Sequence, residues 1–361
     1  MILDLQEQKR ALDYVKAIGI ISVVVGHFPN SIFNIMTPYM YHMPLFFFIG
    51  GVVFKEKNWL NLSLVILRKF VLYVIATYII IGSLTVLLKT HFGFINLPEP
   101  FNETISNTIH QTLTQNFHNN SLFLVAWFLV AYMAAMIMLN AICKMMALIG
   151  LNKYKIVLTI TGVASGWIAI DFISVEYKST GNILLNYLGE FLVAFMFMSL
   201  GKCISFNAFK YMSTSNAIVF FVIIVTLKYA GIASDIGMSW SIYPNGFINT
   251  IIQVFLCIYI VFYISSALSK STNSKVLTLL GKSTKPIMSY HILVFFIVDI
   301  ILQWISVGDY TASTAFSGHN QQAPYWALYI VSALIIPSLS SVLFNKIKSF
   351  FTAGMTSIKA P

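Results

Sequence analysis

Ten apolar runs of 14 to 22 residues leave this chain few ways to fold. They fall at about 15–28, 39–54, 70–88, 121–142, 156–173, 181–200, 215–234, 247–268, 287–305 and 325–344, divided by short polar or basic connections. A run of about 20 apolar residues wound as a helix crosses the roughly 30 Å of a bilayer core. In lipid the backbone has no water to bond to, and a helix satisfies its own N–H and C=O groups. Only 9% of the residues are charged, against about 25% in soluble domains. The sequence therefore predicts an all-α polytopic membrane protein of about ten transmembrane helices. Residues 1–361 are expected to form a single integral-membrane domain with no separate soluble domain.

The placement of charge predicts the orientation. Nineteen of the 22 Lys and Arg residues fall on one side of the ten runs, and Lys89, Lys178 and Lys228 on the other. Basic residues gather on the cytoplasmic side of membrane proteins, so both termini are expected in the cytoplasm. The same distribution explains the net charge of +10 without a nucleic-acid partner, since no basic stripe or reading motif is present. Cys143, Cys203 and Cys257 stand far apart with no metal-ligand spacing, which predicts neither a disulfide nor a metal site. The N-terminus lacks the small-residue cleavage site of a signal peptide.

Within this apolar chain a few ionisable groups stand where lipid would reject them, and such groups are functional candidates by default. Asp13 to Gly51 holds three: Lys16, His27 and His42. Lys16 and His27 are eleven residues apart, within about 20° of a common helix face and about 16 Å apart along the axis. Asp13 sits one turn before Lys16, within pairing reach. Gly19, Ser22 and Gly26 form a small-residue stripe that admits a close neighbour. A polar turn with Pro29, Asn30 and Asn34 leads to the second run. Further along, Glu190 lies in the middle of the sixth run and His291 in the first half of the ninth.

This stretch resembles the start of the membrane-bound acyltransferase 3 family, in its branch similar to fucose 4-O-acetylases. That family has Arg, ten residues, then His; here Lys16 and His27 hold those places. The family's next segment resembles HMPLFFFISG; here it is HMPLFFFIGG from His42 to Gly51, with Gly50 in place of Ser. Trp127-Phe128-Leu129 and the run Gly281 to Phe295, which carries Tyr290 and His291, resemble later family segments in the expected order. The resemblance implies an integral-membrane O-acyltransferase. It would move an acetyl group from acetyl-CoA, its acyl donor and co-substrate, to a sugar hydroxyl. The acceptor would belong to a cell-surface polysaccharide or its lipid-linked precursor, at the bacterial inner or plasma membrane.

Each candidate has a chemical reading beside a structural one. His27 is the expected acid–base residue, taking a proton from a sugar hydroxyl, or else a histidine bridging two helices. Asp13 is grouped with it as partner of Lys16. Lys16 is expected to meet a phosphate or carbonyl of acyl-CoA, though a lysine cannot grip in the bidentate way an arginine does; its other reading is a topology lysine. Arg68 and Lys69 could also meet the CoA phosphates, or simply mark the cytoplasmic side. Glu190 could orient His27 as a carboxylate does in a triad, or sit protonated in the bundle. His42 and His291 are candidates for substrate binding, His42 reading equally as an interfacial histidine. Polar and aromatic residues of the outer loops (Asn116, Asn119, Asn120, Trp304, Tyr310, His319, Asn320, Gln321, Gln322 and Trp326) suit a glycan or an interfacial belt. Asp171, Lys228 and Asp299 read as groups near span ends that snorkel. The rival class is a transporter or flippase of a lipid-linked sugar or proton-coupled solute, which the missing internal repeat disfavours.

Overall fold

The computed structural model describes residues 3–28, 36–150, 154–320 and 324–357, with side chains as far as residue 349. The turn at Pro29, Asn30 and Asn34, the basic Lys153 and Lys359, and Gln321 and Gln322 lie outside the described residues. Twelve helices carry the described fold: α1 Leu5–Val25, α2 His42–Val52, α3 Trp59–Phe92, α4 Ile105–Thr114, α5 Ala126–Leu148, α6 Tyr154–Thr180, α7 Ile183–Ile204, α8 Thr214–Tyr229, α9 Gly246–Ser271, α10 Lys275–Lys282, α11 Thr284–Trp304 and α12 Tyr325–Ser357. Among the described residues no strand forms; Gly237 and Ile242 make a single antiparallel bridge.

Each of the ten apolar runs lies on a helix, and seven of the helices are long and apolar enough to cross a membrane. The other three are α2 and α8, which are short, and α1, whose first half carries Glu7, Lys9, Arg10, Asp13 and Lys16. The boundaries differ where local caps or tertiary partners override hydropathy. α1 begins ten residues before the first apolar run, because Asp4 accepts from Glu7 N at 2.7 Å while the Glu7 side chain accepts from Asp4 N at 2.9 Å. This reciprocal cap satisfies two N–H groups that a helix start leaves open. The expected loop at Glu176 and Lys178 is the last turn of α6, and the polar segment 89–120 contains the short helix α4. Arg68 and Lys69 sit in a π-helical turn, Leu67–Val71, inside the continuous α3.

α1 is the central element, packed against α2, α9, α10, α11 and α12. Its Ala11, Ala17, Ile20 and Val24 are wholly buried. The expected small-residue stripe receives α2 and the turn before it: Gly19 faces Leu45 and Phe46, Ser22 Oγ meets the Tyr41 hydroxyl at 2.8 Å, and Gly26 faces Tyr39 and Pro38. α2 in turn crosses α7 at two glycines. A Cβ on Gly51 would run into the Met198 carbonyl, and one on Gly201 into the Phe48 carbonyl. The outside of the bundle is apolar too, with Leu72, Ile75 and Ile79 of α3, Ile218 and Val222 of α8, and Val331, Ile335 and Leu339 of α12 all exposed. Apolar surface on both the packed and the outward faces suits lipid and not water.

The helices set up two ends. At the basic end Arg10 Nε donates to Ser269 O at 2.9 Å and Ser274 N to the Tyr14 hydroxyl at 2.7 Å. At the far end the connections interlock: Thr37 Oγ1 donates to Asp235 at 2.6 Å, Asn116 Nδ2 to Ser239 O at 2.7 Å, and Ile95 N to Thr311 O at 3.2 Å. Gly201→Ala is expected to cost about 1–3 kcal/mol through overpacking of the α2–α7 crossing. Thermal unfolding of the purified protein in detergent checks this, and an unchanged midpoint would show that the two helices do not meet there.

Candidate functional site

α1 ends at Val25, and the chain continues in a tighter turn in which His27 N bonds Val24 O at 3.3 Å and Phe28 N bonds Val25 O at 2.9 Å. This turn brings the His27 ring against α11, where His27 Nε2 lies 3.2 Å from His291 Nε2. The protons of this pair can be assigned from their surroundings. His291 Nδ1 lies 3.0 Å from both the Ile287 and Met288 carbonyls. A carbonyl only accepts, so Nδ1 carries the hydrogen and Nε2 of the neutral ring carries the lone pair. His27 therefore donates from Nε2, and its Nδ1 holds a lone pair that is buried and has no partner.

Two more histidines share the cavity with this pair. His42 Nδ1 lies 2.6 Å from Pro38 O, and His118 Nδ1 lies 2.8 Å from Asn116 O. By the same argument both donate from Nδ1 and keep Nε2 as an acceptor. Burial pushes the His118 imidazole below its ordinary range, against the pull of backbone bonds to Asn116 and Gln115. The cavity holds about 110 Å³ and is also lined by Tyr39, Trp127, Ser239, Met288 and Phe316. Four imidazoles on one cavity invite a metal, yet among the described residues no cluster of His, Cys, Asp or Glu has the geometry to hold one.

Two further chambers adjoin this cavity. Met288 borders both it and a chamber of about 260 Å³ toward the basic end, lined by Lys16, Phe46, Gly50, Phe128, Tyr132 and Lys285. In that chamber Lys16 Nζ bonds Asp13 at 2.5 Å. Lys285 Nζ lies 3.4 Å over the Tyr73 ring and donates to Lys69 O at 2.5 Å. The π-helical turn of α3 carries that carbonyl, in keeping with the tendency of such turns to fall at functional sites. Gly50 belongs here as well: a Cβ at this position would stand 2.6 Å from the Tyr132 hydroxyl. The serine usual in the resembling motif would therefore collide with Tyr132. Toward the far end, His27, Tyr39 and Phe316 border a third chamber of about 250 Å³ that also touches Gly26, Thr37 and Asp235.

The structure thus brings Lys16, His27, His42 and His291 to adjoining chambers, with Asp13 bonded to Lys16. The Arg68 and Lys69 side chains are exposed and line none of the three chambers, although the Lys69 carbonyl holds Lys285, which supplies the second ammonium. Glu190 takes partners other than His27. Its Oε1 accepts from Asn116 Nδ2 at 2.6 Å and Asn186 Nδ2 at 3.0 Å, and both amides also donate to Ser239 O. It therefore holds the wall that carries Ser239 and Trp240, against whose ring His118 packs at 4.6 Å. Asn116, Asn119 and Asn120 are wholly buried, and their Nδ2 groups serve such internal bonds. Asp299 does not snorkel; it is fully buried, bonded to His319 Nδ1 at 2.7 Å and to the Tyr329 hydroxyl at 2.5 Å. Asp171 is exposed and accepts from Phe247 N at 2.9 Å.

His118, Lys285 and Phe316 are site residues that sequence reasoning missed. In the sequence His118 looks like His91 and His110, which prove to be exposed, and only the Asn116 carbonyl and the Trp240 ring distinguish it.

Among known proteins, a family model described as an acyltransferase domain matches residues 9–345. Neither curated proteins nor solved structures gave a match.

Glu190→Gln keeps an oxygen for the two amides, whereas Glu190→Leu removes it and leaves buried donors short of an acceptor. Glu190→Leu is expected to destabilise the protein by about 1–3 kcal/mol, with Glu190→Gln much closer to the parent. Thermal unfolding of both variants checks this. Equal midpoints for the two would contradict the role given to Glu190.

Proposed function

The chain belongs to the acyltransferase 3 family, and from that premise we propose that it moves an acetyl group from acetyl-CoA to a sugar hydroxyl. The acceptor belongs to a cell-surface polysaccharide or its lipid-linked precursor, as in the branch that resembles fucose 4-O-acetylases. The protein works in the cell membrane with both termini in the cytoplasm, so that the basic end meets the donor.

One observation carries this reading. His27 gives its Nε2–H to His291 and keeps a buried Nδ1 with no hydrogen-bond partner, beside the Ala315 backbone, where the central cavity meets the far-end chamber. An imidazole in that state can take a proton as a general base. The acyl thioester enters past Lys16 and Lys285, two ammonium groups suited to the phosphates and carbonyls of an acyl-CoA. The acceptor hydroxyl gives its proton to His27 Nδ1 as its oxygen attacks the thioester carbonyl. The C–S bond then breaks, the proton passes from His27 to the departing sulfur, and CoA thiol and the sugar ester result. His291 holds the His27 tautomer, a role an acidic residue fills in other triads. The Ala315 backbone faces the His27 ring, so the acceptor reaches Nδ1 when the turn that carries Ala315 shifts. The second reading, transport of a lipid-linked sugar, draws on the row of chambers through the bundle.

The test is transfer of label from acetyl-CoA into glycan or glycolipid in membranes that contain the protein. His27→Ala is expected to lower transfer by about a hundredfold or more at equal protein level. Full transfer by His27→Ala would remove the base assignment. Absence of both transfer and CoA release in the correctly inserted parent would bring the transport reading forward.

Lys16→Ala is expected to raise the acyl-CoA KM about tenfold, a loss of about 1.4 kcal/mol, while Lys16→Arg stays near the parent. An unchanged KM in Lys16→Ala would sink the donor-chamber assignment. For orientation, the His110→Cys variant is expected to react with an impermeant thiol reagent added outside the cell. Labelling only after permeabilisation would reverse the topology.

A further inference from the structure

Phe316 is a large apolar ring left 54% exposed on a segment held by several hydrogen bonds. Asn96 Nδ2 donates to Ala312 O at 2.9 Å, Thr314 N to Ser317 O at 2.8 Å, and His319 Nδ1 bonds Asp299 at 2.7 Å. Phe316 lies inside the tight turn from Thr314 to Ser317. Its ring is nearly parallel to the His27 imidazole, with centroids 6.0 Å apart and 18° between the planes. It also lines the far-end chamber of about 250 Å³ beside Thr37, Tyr39 and Asp235. Asp235 is exposed, and the Thr37 hydroxyl holds one of its oxygens, Oδ1, at 2.6 Å. That bond orients the carboxylate and leaves Oδ2 as an acceptor.

We propose that this chamber is the acceptor subsite, where a single hydroxylated sugar ring lies on Phe316, gives a hydrogen bond to Asp235, and turns another hydroxyl toward His27. The inference rests on the acetyltransferase reading above and deepens it. A pyranose carries C–H groups on its face and hydroxyls around its edge. The negative face of an aromatic ring attracts polarised C–H groups, and a carboxylate is a strong acceptor for a hydroxyl. The chamber is smaller than the roughly 300–1,000 Å³ of sites for drug-sized ligands, which suits one ring and not a longer stretch of glycan. The turn that carries Phe316 also carries Ala315, whose backbone faces His27. A ring that docks on Phe316 thereby bears on the stretch that has to shift.

The experiment measures acetyl transfer from labelled acetyl-CoA to methyl and octyl fucopyranosides and glucopyranosides, in membranes with the parent and with Phe316 and Asp235 variants. Phe316→Ala and Phe316→Leu are expected to raise the acceptor KM about five- to tenfold and leave the acyl-CoA KM unmoved. Phe316→Trp and Phe316→Tyr restore the acceptor KM to within about twofold of the parent, because the flat ring and not apolar bulk is what counts. Asp235→Ala also raises the acceptor KM. A lower KM for the octyl than for the methyl glycoside, with the same dependence on Phe316, supports this subsite for a lipid-linked ring; equal values with that dependence support it for a soluble one. An active parent whose acceptor KM is indifferent to Phe316→Ala, or is rescued by leucine, overturns the subsite and leaves the transferase reading standing. A parent that transfers label to none of these rings, nor to membrane glycan, overturns both.

Discussion

His291 has no choice of proton position, and the chemistry of the site depends on that. The carbonyls of Ile287 and Met288, one helical turn back, hold its Nδ1–H and leave Nε2 only as an acceptor. His27 must then donate, and its other nitrogen becomes the lone pair that the proposed reaction needs. Backbone carbonyls set the same tautomer in His42 and His118. A helix or turn rigid enough to present a carbonyl at fixed distance thus decides which ring nitrogen can act on a ligand.

The scaffold makes this rigidity possible in an apolar medium. Lipid rejects unsatisfied polar groups, and polar residues inside the bundle gather into networks. Glu190, Asn116, Asn186 and Ser241 form one, and Asp299, His319 and Tyr329 another. The first holds the wall that carries Ser239 and Trp240. The second pins the segment that bears Ala315 and Phe316. Both act on the chambers without lining them. The close crossing at Gly51 and Gly201 holds α2, and with it His42, against α7 at a distance that a larger residue would prevent. Such small-residue contacts drive helix association where lipid removes the hydrophobic gain.

Much of this was legible residue by residue. The Lys16–His27 spacing presumed one helix, while α1 ends at Val25 and His27 follows in a tighter turn; hydropathy located the ten helical runs. It misjudged α1, because the reciprocal bonds of Asp4 and Glu7 start that helix well before its apolar stretch. It misjudged Asp299 by distance from a span end, when the deciding fact was a histidine twenty residues on that folds back onto it. Glu190 drew attention because a buried carboxylate needs a partner, and that requirement was sound. The partners were two amides from different parts of the chain and not the nearest histidine in function.

Two kinds of information separate along the same line. The sequence alone determined that the chain is helical and lives in a membrane, and that Lys16, His27 and Glu190 need reasons to be where they are. Each of these follows from the cost of placing one residue or one short run in lipid, a property carried locally. The tertiary structure alone decided which nitrogen of His27 is free, that Lys285 and not Arg68 joins Lys16, and that Phe316 faces a chamber. Those outcomes rest on meetings such as His27 with His291, 264 residues apart, and no local period or propensity encodes the angle at which two such groups come together.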